Sequence, residues 1–294
     1  MRHTLQPHQL GLPAHNLLVN GDFEVWQRGA GPFVSSGSGV FSCDEWRAVT
    51  ADSMTVQRTS DDKTGLYSAQ ISKTGTGWGW FSQGIEAYKS LEGELVTFSA
   101  WVKCSSPLAI ALQVTDWDGV KQDTTSSNSH TGGGDWELLT VTRRVRSGIV
   151  PWSNFPHSFG MACEVVLRGA YSGLVDAAML AVGAYPSGVP FTPLPPALEI
   201  TRCRRYYQKA TASEGNLTNF SGMVTSAGVY KSGAVRLTEM PATPTITLTN
   251  VANTGFATTV GSVTVGPQGF REQRTSNLTS TSGKFSSSWT AEVA

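Results

Sequence analysis

Two tryptophans stand two residues apart in GTGWGWFSQGI, Trp78 and Trp80, each flanked by glycine. Along an extended strand, residues two apart share a face. The two indoles would therefore lie together, with Phe81, Gln83 and Ile85 on the opposite side. Neighbouring indoles make a flat apolar platform on which the C–H faces of sugar rings can pack while the hydroxyls find side-chain partners. The plainer alternative is that both belong to a core, where tryptophan is usually found. Trp101 poses the same choice: its same-face neighbours Thr97, Ser99 and Lys103 are polar, so it is either covered by another element or open to a ligand. Gln113 and Arg168 fall on the polar sides of their own strands, and with Trp101 they would line one concave sheet. Trp117, between Asp116 and Asp118 at the tip of an expected Asp-Gly hairpin, either serves a binding loop or decorates a turn.

Bond-making machinery is harder to find. The chain has no H-E-x-x-H, no G-x-S-x-G and no Walker loop, and three of its five histidines fall within the first fifteen residues. The carboxylate pair of a glycoside hydrolase is defined by a separation in space and cannot be read from a chain. Binding without catalysis is the expectation. Arg202, Arg204, Arg205 and Lys209, interleaved with Tyr206 and Tyr207, could in principle hold a single strand of nucleic acid. Against this, 22 Lys+Arg balance 22 Asp+Glu, and no wider basic patch exists to attract phosphate or an anionic membrane. The reading kept is an interface in which Tyr206 and Tyr207 anchor while Arg202 and Arg205 pair or stay solvated. Cys43, Cys104, Cys163 and Cys203 lie far apart without C-x-x-C spacing, which fits buried free thiols better than a zinc or redox site. No basic segment leads into an apolar run near the N-terminus, and no stretch approaches the ~20 apolar residues of a bilayer span. Synthesis in a cytoplasm, without a signal peptide and without membrane insertion, is expected.

The elements that would position these side chains are strands. In LVTFSAWVK, Val96, Phe98, Ala100 and Val102 fall on one face; in LAIALQVTDW, Leu108, Ile110, Leu112 and Val114 do the same. Further strands are expected at 53–58, 66–72, 78–87, 136–145, 161–168 and 174–183, separated by turn clusters such as Asp118-Gly119 and TGGGD. Roughly 8 to 10 strands without intervening helical periods predict an all-β protein, an antiparallel jelly-roll β-sandwich, over 16–195. Pro193, Pro195 and Pro196 end this region. Ile200, Cys203 and Tyr207 at helical spacing predict a short helix over 197–209 within a linker at 196–210. Beyond it the composition turns to Ser, Thr, Gly and Val, predicting a second, smaller β domain over 211–294. So small a domain favours packing against another subunit.

Three stretches, NLLVNGDFEVWQRG (16–29), SQGIEAYKSLEGELVTFSAWVK (82–103) and YPSGVPFTPLPPALEITRCRRYYQK (185–209), together resemble the framework of modules found in bacteriophage tail-fibre and adhesin proteins. Those modules are in turn similar to the jelly-roll carbohydrate-binding modules that accompany cellulases and xylanases. The resemblance spans about 16–209. Where such modules read Ala-Asp-Arg-Trp this chain has Cys43-Asp44-Glu45-Trp46, and where they read Leu-Cys-Gln-Arg-Tyr-Tyr it has Arg202-Cys203-Arg204-Arg205-Tyr206-Tyr207. The resemblance implies a non-enzymatic fibre or spike subunit at the virion surface, a homotrimer. Its residues 1–15 would form an attachment arm to other virion proteins, and its sandwich would touch host envelope glycans. It also admits a capsid decoration, head-fibre or tail adaptor protein without glycan binding. By the same resemblance, a structural calcium would be held by Glu24, near the first strand, and Asp176, on the last; no other cofactor is implied.

Overall fold

The computed structural model describes residues 14–37, 39–210, 218–224, 230–237, 240, 243–254, 262–266, 268–275 and 281–293. The expected attachment arm, 1–15, lies outside the described residues except for Ala14 and His15. The chain divides into two compact units, Met1–Glu199 and Ile200–Ala294.

The first unit holds twelve strands: β1 (Phe33–Ser35), β2 (Val40–Phe41), β3 (Arg47–Thr50), β4 (Ser53–Thr59), β5 (Ser68–Thr74), β6 (Trp78–Gly84), β7 (Leu95–Lys103), β8 (Ile110–Trp117), β9 (Gln122–Ser126), β10 (Trp136–Arg144), β11 (Met161–Arg168) and β12 (Ser172–Val182). They form two six-stranded antiparallel sheets, the first in the order β1-β4-β5-β12-β7-β10 and the second in the order β2-β3-β6-β11-β8-β9. From β5 to β8, and again from β9 to β12, each strand lies in the opposite sheet from the one before it. This is the jelly-roll arrangement that period-two patterning predicts. Val96, Phe98, Ala100 and Val102 of β7 and Ile110, Leu112 and Val114 of β8 all point into one core with Trp46, Phe81, Val165 and Leu180. Each Val, Leu, Ile or Phe among them contributes about 1.5–3 kcal/mol by leaving water. Leu108 departs from the expected alternation: it precedes β8 with φ of 62° and is exposed.

The opening motif seals one end of this sandwich. Asn16 donates from Nδ2 to the Ala178 carbonyl (3.0 Å) and accepts from the amides of Leu18 (3.1 Å) and Leu180 (3.0 Å), tying the entering chain to β12. Asn20 closes a tight loop onto Val25, donating to its carbonyl (2.8 Å) and accepting from its amide (2.9 Å), and its φ of 52° suits the tolerance of Asn for left-handed backbone. Gly21 faces the Ala178 carbonyl so closely that any Cβ would collide with it. The loop thereby drops Phe23 beside Trp46 (5.1 Å between centroids), which itself stacks on Phe81 at 5.0 Å. Asp44 accepts from the Gln27 amide (2.9 Å) and pairs with Arg28 (3.1 Å). The residues that carry the resemblance are thus framework residues.

Helix α1 (Pro196–Cys203) is shorter than the expected 197–209. Tyr207–Ala210 is instead a strand, β13, pairing with Trp289–Glu292. The bulky tyrosines at 206 and 207 are buried, and a β partner for 207–210 outweighs the helical spacing of Ile200, Cys203 and Tyr207. Arg205 lies 6.0 Å over the Tyr206 ring. The second unit continues with β14 (Thr218–Val224), β15 (Tyr230–Arg236), β16 (Thr245–Thr254), β17 (Ser262–Gly266), β18 (Gly269–Thr275) and β19 (Thr281–Glu292). Strand β19 is central, pairing with β13, β14 and β16, while β15, β18 and β17 form a second small sheet. Val235, Leu237, Met240, Phe270, Trp289, Ala291 and Val293 make its core. All four cysteines are free and buried, as expected. No helix among the described residues is long and apolar enough to cross a membrane.

Candidate functional site

Antiparallel partners point to the same side of a sheet, so the outward residues of the second sheet line up in rows across its strands. One row is polar: Arg47 on β3 pairs with Ser82 on β6, Ser82 with Glu164 on β11, Glu164 with Gln113 on β8, and Gln113 with Ser126 on β9. Two residues along the strands runs an apolar row of Val49, Trp80, Val166 and Ala111. Trp78 opposite Arg168 begins the next. Four inter-strand steps of ~4.8 Å make the polar row ~19 Å long, enough for several sugar units end to end.

A cleft of about 520 Å3 opens over these rows, floored by Arg47, Val49, Trp80, Ser82 and Glu164 and walled by Gly37, Gly39, Gln122 and the loop Trp152–Phe155. The wall is an aromatic stack: Trp152 lies 4.7 Å from Trp117 at 12° and meets Phe155 edge-on at 4.7 Å and 82°. Its loop is fixed at both ends. The Val150 amide donates to the Trp117 carbonyl (2.9 Å), and buried His157, stacked on Phe41 at 4.9 Å, places Nε2 2.9 Å from Glu45 Oε2. Beside the cleft, Trp78 and Trp80 stack with centroids 6.5 Å apart at 22°, and Arg168 lies 5.0 Å over the Trp78 ring. Trp78 is 47% exposed, so this platform reaches solvent.

Two charged groups define the cleft's electrostatics. Burial pushes the Glu164 carboxyl up to about 7, although Thr115 Oγ1 donates to its Oε2 at 2.6 Å. Arg47 is half-buried, and loss of hydration lowers its pKa. A Cβ at Gly39 would collide with the Arg47 guanidinium, so glycine there leaves the arginine its room. Gln113 donates from Nε2 to Ser126 Oγ (2.9 Å). An aromatic floor beside a row of hydrogen-bonding groups can hold a sugar chain. Glu164 is the one carboxylate among the described lining residues, whereas carboxylate-based hydrolysis places two across the scissile bond.

Of the residues the sequence suggested, Trp78, Trp80, Gln113 and Arg168 share this face, and Trp117 backs its wall. Trp101 does not. It stands on β7 in the first sheet, opposite Leu138 and Asp176 and under the Lys63 ammonium at 4.3 Å, so it cannot line one sheet with Gln113 and Arg168. Alternation assigns a side chain to a face of its own strand and is silent on which sheet that strand joins. Arg47, Ser82, Gln122, Trp152 and Glu164 escaped the sequence reading. The lone acid in the apolar run MACEVVLR was the one available signal.

Glu24 and Asp176 do not fit a calcium site. Asp176 Oδ2 accepts from the amides of Lys63 (2.7 Å) and Thr64 (3.0 Å) and from Thr64 Oγ1 (3.3 Å), and Oδ1 accepts from the Ala177 amide (2.6 Å). Glu24 Oε1 accepts from the amides of Leu66 (2.5 Å) and Tyr67 (3.1 Å). Donor hydrogens thus point at the oxygens that a hard cation would need. Among the described residues no group of three or more His, Cys, Asp or Glu could hold a metal. The two carboxylates staple the 63–67 loop directly.

Residues 15–149 match the family model of a carbohydrate binding domain. Among solved structures, the chain is similar to the CBM22-1 xylan-binding domain of Paenibacillus barcinonensis Xyn10C, with 17% identity over 58% of this chain and 96% of that one and a TM-score of 0.41. It is similar to the CBM22-1–CBM22-2 tandem domain of the same protein, with 14% identity over 95% and 90% of the two chains and a TM-score of 0.41. It also matches the enzymatically active domain of bacteriophage CBA120 tailspike protein 4, with 14% identity over 57% of this chain but only 21% of that one and a TM-score of 0.37. No curated protein sequence matches the chain.

Proposed function

We propose that the first unit binds a glycan chain laid across the strands of its second sheet, without cleaving it. The observation that carries this reading is the pair of adjacent rows where they floor the cleft: Val49 and Trp80 offer apolar surface to sugar rings, and Arg47, Ser82 and Glu164 offer donors and acceptors to their hydroxyls. The match of residues 15–149 to a carbohydrate binding domain supports it. Affinity gel electrophoresis of the purified chain against a panel of polysaccharides tests it. Retardation by at least one polymer, abolished in Trp80→Ala at unchanged melting temperature, is expected; free migration in every gel would sink the reading.

The resemblance of the 16–29, 82–103 and 185–209 stretches to phage fibre modules extends this to a role. The chain would be a subunit of a virion fibre or spike, a homotrimer displayed on the particle surface, joined to other virion proteins through residues 1–15. Multivalent display would turn weak binding at each cleft into useful adhesion. Light scattering on the purified protein should give three times the chain mass, and antibody labelling should decorate virions. A monomer, or particles without label, would remove this role and leave the glycan site intact.

A further inference from the structure

The cleft holds a cation without a counter-charge. Arg47 lies on its floor, half-buried, and among the described residues no side chain forms a hydrogen bond or ion pair with its guanidinium. The charged groups on the strands of this face are Arg47 from β3 and Glu164 and Arg168 from β11, and β6, β8, β9 and the 152–155 loop present Trp, Ser, Ala, Gln, Thr, Asn and Phe; at the β2 edge Phe41, opposite Arg47, meets Arg28, which pairs with Asp44, and His157, which pairs with Glu45. Glu164 is two strands from Arg47, or ~10 Å across the sheet, and its Oε2 accepts from the Thr115 hydroxyl. Burial raises its carboxyl to about 7, so a unit or more below that pH it offsets little of the arginine's charge. Desolvating a guanidinium is costly unless something anionic meets it. The two most buried arginine side chains among the ion pairs of the unit meet carboxylates, Arg143 with Asp116 at 2.6 Å and Arg28 with Asp44 at 3.1 Å, whereas Arg168 on this face has a buried Nε without a hydrogen-bond partner.

We propose that the cleft selects an anionic glycan, with Arg47 receiving a carboxylate or phosphate group of the sugar while Trp80 holds the ring. Both anions match the planar fork of a guanidinium, and their sources are uronate-type polysaccharides and phosphate-bearing wall polymers. This inference rests on the glycan-binding reading above and narrows it to a substrate class.

The experiment is affinity electrophoresis of the full chain in gels containing neutral polymers (xylan, β-glucan, galactan), carboxylated ones (polygalacturonate, alginate, hyaluronate) and a wall teichoic acid, at pH 6 and low salt. Retardation by anionic but not neutral polymers is expected, with the carboxylated and phosphate-bearing gels telling the two sources apart. Arg47→Gln should weaken the retained polymer about tenfold or more, the loss of one charge-assisted hydrogen-bonded pair. Arg47→Lys should restore part of it, and the dependence on salt should flatten in Arg47→Gln. Trp101→Ala, on the other sheet, should bind as the parent does. Retention by neutral polymers equal to that by anionic ones, or an Arg47→Gln variant of native melting temperature with native affinity, would overturn the assignment while sparing glycan binding. Free migration in all gels would instead overturn glycan binding itself.

Discussion

The two outward faces of the sandwich begin from similar patterns and end differently. Thr97, Ser99, Trp101 and Lys103 on the first sheet read much like Trp78, Trp80 and Ser82 on the second: a large indole among polar neighbours. On the first sheet those polar groups are consumed by the chain itself. Thr97 Oγ1 donates to the Gly183 carbonyl (2.8 Å) and accepts from the Tyr185 amide (3.1 Å), and Ser99 Oγ accepts from the Val189 amide (3.0 Å). Residues 183–189 therefore lie along this face, where Tyr185 and Val189 bury Met179 and Ala181. Lys103 pairs with Asp61 (2.8 Å), and Lys63 caps Trp101. On the second sheet the polar groups find partners within the sheet, Gln113 on Ser126, Thr115 on Glu164 and Ser82 on the Arg47 carbonyl, and Trp80 lines the open cleft. A polar strand face is closed or open according to whether another stretch of chain brings it backbone donors and acceptors.

The strongest way to disturb the closed face is to release its loop. Asp176 is fully buried and accepts from four donors, so Asp176→Ala should destabilise the unit by about 3–4 kcal/mol, the cost of unpaired amides less the relief of a buried charge. Chemical denaturation measures this. Added calcium should not restore the lost stability in the variant or raise the parent's melting temperature; a calcium-dependent rise would show that the carboxylates serve a cation after all.

Glu164 sharpens the comparison from the open side. Its carboxyl is raised from 4.5 to about 7 by burial, so between those values the folded state holds a proton that the unfolded state has released. Folding stability contributed by this group is therefore undiminished below pH 4.5, falls as pH rises through 7, and is lower by about 3 kcal/mol above it. Glu164→Gln should remove that loss, leaving the variant more stable than the parent at pH 8 and equal to it at pH 4. Asp22 and Asp44, each raised to about 6 by burial, fall in a lower window and remain in both proteins. Parent and variant stabilities that run parallel from pH 4 to 8 would show that Glu164 ionises normally in the cleft. Next in size, Trp80→Ala should cost about 2 kcal/mol of glycan affinity, roughly thirtyfold in Kd, by removing the apolar floor. Titration calorimetry on whichever polymer retards the parent checks it.

Much of this was legible in the chain. Strands β7 and β11 fall at the positions that alternation gave, because their inner residues are uniformly apolar and their ends are marked by turns. The floor of the cleft was legible only in part. Strand β3 is four residues long, too short for a period to register, yet it carries Arg47 and Val49. Strand β9, QDTTS, is a polar edge strand with no apolar face to announce it. Trp152 reaches the cleft through a loop placed by the distant His157–Glu45 contact, which no local pattern encodes. The helix was overextended for the complementary reason: helical spacing is local, whereas the pairing of Tyr207–Ala210 with β19 joins residues about eighty positions apart.

Trp101 itself gives the smallest effect and the cleanest division between the faces. Its ring is half-buried beneath the Lys63 ammonium, an arrangement worth about 1 kcal/mol in cation–π attraction and packing. Trp101→Ala should lower stability by about that much and leave glycan affinity within about twofold of the parent, since the two sheet faces share no binding groups. Fluorescence separates them without a ligand: loss of Trp101 should remove a component shielded from acrylamide, and loss of Trp78, nearly half exposed, should remove an accessible one. If instead Trp101→Ala abolished binding while Trp80→Ala preserved it, the covered face would be the working one, and the 63–67 loop would have to be read as a lid over a site rather than as a seal.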